Sequence, residues 1–396
     1  MRSSFEVELF PLGWLGRNLQ LVALSAAPHL VKDVAENEVV FSSEQDFIEL
    51  LIQGYELAAS LLEQGLVKPP RLYGNDYKPL DDIMKGIRGR KLKKEERRWD
   101  IALRLIIDGL REGGEIPDEK VVPLTLMAAS KFEYLRRMMG PIKPENVELK
   151  KFSPHAIILA LIGGLLAKIG SLDRDAIYLV AHDEAGLSDL EAFSELYASL
   201  VLPGSDSRLP VLGRLLGGKI AAGVRKLPLS LDTMILLYAA ALVGETLDVE
   251  PGELCGLSDR LNQVVLASVS EGGNRPIVKE FLALGISEPL CRLGSRPLVS
   301  LASLLSRALS TGLCGSGNDQ NDPGSTAVGH CFSKLFLYTV TDNTIYLYDC
   351  ARLLRGAASS QQCQSSGADT RLLRAAEHLA RLVSYPLSPH PAFTEE

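Results

Sequence analysis

The densest chemistry in the chain is positive charge. Lys85, Arg88, Arg90, Lys91, Lys93, Lys94, Arg97 and Arg98 fall within 14 residues, and only Glu95 and Glu96 oppose them. Tyr73, Tyr77 and Trp99 bracket the run. Cations at this density neutralise phosphates, and aromatic faces stack bases at about 1–3 kcal/mol each. The enclosing stretch 67–92, VKPPRLYGNDYKPLDDIMKGIRGRKL, holds three prolines and three glycines. It reads as a long loop that can order on a phosphate backbone. On this reading Lys85, Arg88, Arg90, Lys91, Lys93 and Lys94 grip phosphates. Arg97 and Arg98 support them, and Tyr73 and Tyr77 stack on bases. The competing reading is a solvated loop and helix start. A second cluster, Lys131, Arg136 and Arg137, either extends this surface or belongs to an ordinary amphipathic helix with Glu133 and Tyr134.

The other motifs are weaker. Gly213 to Lys219 matches the spacing of a phosphate loop, but Ile220 stands where Ser or Thr should hold magnesium. The segment also reads as an apolar helix, in which the glycines permit close packing. His182-Asp183-Glu184 follows a strand pattern and can ligate metal. None of the other five histidines carries a supporting motif, so a polar turn capping the next helix is the competing reading. Cys314, His330, Cys331, Cys350 and Cys363 lack the paired CxxC spacing of zinc sites, which favours buried or disulfide-paired cysteines; whether any metal binds is left open. Neither a GxSxG elbow nor a GxGxxG fingerprint is present.

Composition sets the frame. The chain has 396 residues, 46% hydrophobic and 23% charged, with only 6% aromatic. This is a globular composition and excludes wholesale disorder, a collagen-like fibre or a small disulfide scaffold. The formal charge is -7, which argues against a wholly basic nucleic-acid binder. Yet residues 66–98 carry 11 basic and 5 acidic side chains, a local +6, so the positive charge is focused. The N-terminus shows no apolar signal core, and the expectation is a cytoplasmic protein with reduced thiols; disulfides are open if the source is a hyperthermophile. The apolar run Ala156–Ala167 is too short to span a bilayer and reads as a buried helix capped by Ser153-Pro154.

These patterns predict a mainly α fold with a minor β component. An N-terminal strand at 5–10 leads into a glycine-rich turn and a multi-helix body. Helices are expected near 18–27, 45–64, 93–110, 121–139, 154–169, 188–202, 208–223, 230–245, 258–271, 276–288, 297–311 and 370–384, with one strand at 176–181. A C-terminal β-hairpin is expected at 334–348 around Thr341-Asp342-Asn343. Polar loops are expected at 312–329 and 356–368, and a loose proline-rich tail at the end. The domain expectation is 1–150, an α+β domain with the basic loop; 151–312, helical; and 313–396, with the hairpin and terminal helix.

In layout the chain resembles the large subunit of archaeal type I-A CRISPR effector complexes. The resemblance rests on the strand-first start, the helical body near 400 residues, KGIRGRKLKKEERRW, and VPLTLMAASKFEYLRRMMG. It implies a non-catalytic ribonucleoprotein subunit for target DNA recognition in antiviral defence. Its partners would be guide RNA or target DNA and other protein subunits, with no membrane and no cofactor; base pairing by the guide supplies most of the specificity. Two other classes compete. One is a helical scaffold for protein partners. The other is a metal-dependent nuclease or phosphohydrolase around His182 and Asp183.

Overall fold

The computed structural model describes residues 4–130, 150–172, 175–204, 207–217, 224, 227, 231–247, 261, 263–285, 288–315 and 322–384. It is mainly α with a minor β part, as the sequence predicts. The chain divides into two compact units. Unit 1 comprises Met1–Leu202, Leu212–Gly217 and Arg260–Leu284; unit 2 comprises Pro203–Val211, Gly218–Asp259 and Gly285–Glu396. Residues 151–202, expected to open a second domain, thus belong to the same unit as the N-terminus.

Unit 1 begins with β1 (Phe5–Glu8), whose alternation puts Val7 in the core. It pairs antiparallel with β3 (Glu38–Phe41), which in turn pairs with β2 (Val31–Val34). Between β1 and β2 runs α1 (Leu15–Leu24), buried at every residue. Ser43 caps α2 (Glu44–Glu63) by accepting from Asp46 N at 3.2 Å. Then come α3 (Tyr77–Arg88), α4 (Trp99–Arg111) and α5 (Pro154–Ala167).

The apolar run expected to be a core helix is α5, with Ser153 as its cap and only His155 short of full burial. Among the described residues no helix is long and apolar enough to cross a membrane. Helix α5 lies close against α1 because Gly163 has no side chain: a Cβ there would stand 1.7 Å from the Leu19 carbonyl oxygen. Trp99, 1% exposed, closes the other side and donates its indole N–H to the Leu161 carbonyl at 2.8 Å.

A second, four-stranded sheet completes unit 1 in the order β4 (Lys168–Leu172), β5 (Asp175–Ala181), β6 (Val264–Ser270), β7 (Ile277–Ala283), all antiparallel. Strand β5 is the predicted one. Strands β6 and β7 correct two expected helices, 258–271 and 276–288. The run VVLASVS is buried on both faces, and such a strand loses the alternation that distinguishes it from a helix. Its valines, and its full register from Asp175↔Ser270 to Ala181↔Val264, decide for strand. Helices α6 (Leu187–Val201) and α7 (Leu212–Gly217) pack nearby.

Unit 2 contains α8 (Leu231–Thr246), α9 (Glu288–Leu293), α10 (Ser295–Ser310), α11 (Pro323–Thr341), α12 (Ile345–Ala358), α13 (Gln361–Ser365) and α14 (Asp369–Ser384). The expected β-hairpin at 334–348 is not there: α11 and α12 occupy it. Asp342 does adopt a left-handed conformation, φ 52°, but it ends a helix rather than turning a ribbon. The aromatic and β-branched residues that suggested strands belong to longer helical stripes. Cys331, Phe332, Leu335 and Tyr338 recur on one buried face, as do Leu347, Cys350, Ala351 and Leu354 on the other helix. Asp322 starts α11 by accepting from Gly324 N and Ser325 N. The expected loop 356–368 likewise contains the end of α12 and all of α13.

The expectation of reduced thiols also fails. Cys314 is bonded to Cys363 and Cys331 to Cys350, and Cys291 is disulfide-bonded as well. The first two bridges are nested and buried. None of these five sulfurs is a free zinc ligand.

Candidate nucleic-acid interface

The basic run does not lie in a structureless loop. Its first part is α3, which carries Pro79 in its first turn, where a missing N–H costs nothing. Asp76 fixes the entry to α3. Its carboxylate accepts from Tyr73 N at 2.8 Å, Thr125 N at 2.8 Å and the Thr125 hydroxyl at 2.6 Å. Burial pushes this carboxyl up, and the hydrogen bonds from Thr125 and Tyr73 pull it back. Asp76→Ala leaves two backbone N–H groups unpaired and is expected to cost about 2–3 kcal/mol in urea unfolding. A cost below about 0.5 kcal/mol would show that the segment is held elsewhere.

Gly89, in the left-handed region at φ 68°, ends α3 and opens an elbow that runs to α4. The elbow is braced from within. Asp81, at the buried face of α3, accepts from Leu92 N at 3.0 Å and from Arg97 at 3.3 Å. Arg90 and Glu96 form a two-pronged pair at 2.7 and 3.1 Å, and Glu96 also accepts from Lys93 N at 2.8 Å. Arg88 donates to the Leu105 carbonyl at 2.9 Å and to Glu112 at 3.2 Å. Arg98 pairs with Asp100 at 2.9 Å. The Arg97 guanidinium lies 4.1 Å from the centre of the Tyr77 ring.

The hydrogen bond from Arg90 holds the Glu96 carboxyl down at about 2. A depressed acid contributes stability above its unfolded value and loses it as pH falls through its folded value. The stability gap between the wild type and Glu96→Gln is therefore expected to be constant at neutral pH and to close as pH drops from about 4.5 to about 2. A gap that stays constant over that range would remove the charged pair from the elbow.

These contacts divide the eight cations, six expected to grip phosphates and two to support them, into two groups. Arg88, Arg90, Arg97 and Arg98 are brackets. Lys85, Lys91, Lys93 and Lys94 are exposed and make no ion pair among the described residues. Lys91, Lys93 and Lys94 thus lie on the braced elbow, and Lys85 in the last turn of α3 that leads into it. The expected stacking platform is not presented. Tyr73 is 4% exposed, and Arg71 lies over its ring at 5.4 Å. Tyr77 is half-buried, with Arg97 on its ring. The cluster of Lys131, Arg136 and Arg137 lies outside the described residues.

The remaining candidates resolve into packing. Gly213 sits inside α7, where a Cβ would meet the Leu66 carbonyl oxygen at 2.1 Å, so it serves helix packing; Gly218, Lys219 and Ile220 lie outside the described residues. His182 and Asp183 are 3.7 Å apart at the end of β5. Asp183 accepts from Gly13 N at 3.1 Å, and its carbonyl accepts from the buried Arg17. His182, Asp183 and Glu184 form a polar turn, but they do not cap the next helix: Gly186 is the N-cap of α6, and its N–H donates to Asp189 at 2.9 Å. Among the described residues no three His, Cys, Asp or Glu side chains gather as a metal-ligand group.

One polar centre escaped the sequence reading. Lys168, which ends the apolar run of α5, is 8% exposed and pairs with Glu271 at 2.5 Å. Glu271 also accepts from the Tyr178 hydroxyl at 2.6 Å, and its backbone carbonyl accepts from Arg71 at 3.1 Å. The centre ties the β6–β7 turn to the segment that leads into α3. Its only sequence signal was a lysine closing an apolar stretch. No protein-family model matches the chain, and no curated protein matches its sequence.

Proposed function

We propose that unit 1 binds nucleic acid through the elbow between α3 and α4, and that the chain is a non-catalytic subunit of a ribonucleoprotein. The observation that carries this reading is the set of four exposed lysines, Lys85, Lys91, Lys93 and Lys94, which make no ion pair among the described residues, on a segment whose arginines are spent on bracing it. Bracing of this kind lowers the ordering cost of binding, because the backbone that carries the lysines is ordered before the ligand arrives. A merely soluble surface has no need of it. The layout shared with the large subunit of type I-A CRISPR effectors supports a role in target DNA recognition, with guide RNA, target DNA and other subunits as partners.

The test is duplex DNA binding by the wild type and by a variant with Lys85, Lys91, Lys93 and Lys94 all changed to alanine. All four are exposed, so the fold is expected to survive. Binding is expected to weaken by at least tenfold, and by roughly 10²-fold at low salt. Equal binding by a folded variant would overturn the reading.

A second reading, a scaffold for protein partners, is favoured by one feature of unit 2. Leu337 and Val340 near the end of α11, and Ile345 and Tyr348 in the first turn of α12, are 37–67% exposed on either side of the connection between the two helices. It predicts stable capture of another subunit without any nucleic acid. The two readings are compatible in a multi-subunit complex.

A further inference from the structure

We infer that the elbow recognises the sugar–phosphate backbone alone and is blind to the bases, so that its ligand is duplex nucleic acid of any sequence. This rests on the nucleic-acid reading above and narrows it.

Base recognition takes one of two forms. The first is hydrogen bonding to base edges, most selective in the two-pronged contacts of Arg with guanine and of Asn or Gln with adenine, with Lys on guanine and Glu on cytosine as simpler contacts. The second is stacking on an exposed aromatic face or guanidinium plane. Residues 85–98 contain no Asn, Gln, Ser or Thr. Both prongs of Arg90 are filled by the two oxygens of Glu96. Arg88 spends one nitrogen on the Leu105 carbonyl and another on Glu112, and Arg98 is paired with Asp100. The Arg97 guanidinium lies over the Tyr77 ring, 4.1 Å from its centre, and covers one of its faces. Tyr73 is buried.

What remains pointing outward is four ammonium groups, the Glu95 carboxylate and the Arg98 guanidinium, 63% exposed and tethered by one nitrogen to Asp100. An ammonium on a flexible stem is a point charge; it suits a phosphate and carries little directional information about a base. Glu95 is repelled by phosphate. With little stacking gain on offer, a single strand has no advantage over a duplex. The duplex has the higher axial charge density and therefore binds more tightly.

The experiment compares three labelled probes of equal length at one salt concentration: duplex DNA, mixed-sequence single-stranded DNA, and a single strand with abasic residues throughout. The abasic strand is expected to bind within about twofold of the base-bearing strand, and the duplex more tightly than either. Tyr77→Leu is expected to leave all three affinities unchanged. An abasic strand bound more than tenfold more weakly than the base-bearing strand overturns this inference, as does a tenfold loss in Tyr77→Leu. The four-lysine variant separates the two failures. If it loses binding while the abasic strand also binds poorly, the elbow still binds nucleic acid but reads bases. If it binds all three probes as the wild type does, the elbow is not the site, and both readings fall.

Discussion

Reduction of the two nested disulfides is expected to unfold unit 2 at denaturant concentrations where the oxidised protein is intact. Cys314–Cys363 and Cys331–Cys350 span sequence separations of 49 and 19 residues. In the chain-entropy account such loops stabilise the folded state by about 4 and about 3 kcal/mol. The inner bridge shortens the loop closed by the outer one, so the sum is smaller. It is still a large part of the roughly 5–15 kcal/mol that holds a domain together. Urea unfolding with and without a strong reductant, followed by a probe in unit 2, measures it. A midpoint that does not move on reduction would show that the bridges add nothing. Buried as they are, the bridges are expected to resist the reductant until the unit opens, and only the thiols released by reduction can then be alkylated. Bridges of this kind persist in oxidising compartments and in hyperthermophiles.

Gly163→Ala is expected to destabilise unit 1 by roughly 3 kcal/mol or more. The new Cβ would stand 1.7 Å from the Leu19 carbonyl oxygen and 2.5 Å from its carbon. Both are backbone atoms of α1, so no side chain can swing away to make room. Relief requires α1 and α5 to part, which opens the core on both sides. Alanine's better helix propensity returns only about 1 kcal/mol. Gly356→Ala in α12 is the control, because nothing lies within 4 Å of its Cβ position; it is expected to be neutral or slightly stabilising. Equal effects at the two positions would contradict the close helix contact.

The parts of the fold that were legible in the sequence are those where one local signal dominates. Ser153-Pro154 followed by an unbroken apolar run specifies α5, and the alternation of Phe5, Val7 and Leu9 specifies β1. The failures share a cause. VVLASVS is buried on both faces of a sheet, and periodicity cannot separate such a strand from a buried helix. The segment 334–348 misled in the opposite direction, because Tyr, Phe, Val and Thr have high strand propensity and Asp342-Asn343 is a good turn. Tertiary packing of the Cys331, Leu335 and Tyr338 face overrode propensity.

At the candidate site, the positions of the charges were legible and their partners were not. Sequence shows eight cations. Only the structure shows that Arg90 faces Glu96, that Arg97 reaches Asp81 across 16 residues, and that Arg88 reaches Glu112 across 24. Pairs so far apart leave no periodic trace. The same holds for Lys168 and Glu271, which lie 103 residues apart.

The most direct test of the central claim is the salt dependence of duplex DNA binding by the wild type and the four-lysine variant. Each phosphate contact contributes about -0.9 to the slope of log affinity against log salt. Four lysine contacts predict that the variant's slope is shallower by roughly 3 to 4 units. Parallel lines for the two proteins, or no binding by the wild type at low salt, would contradict it.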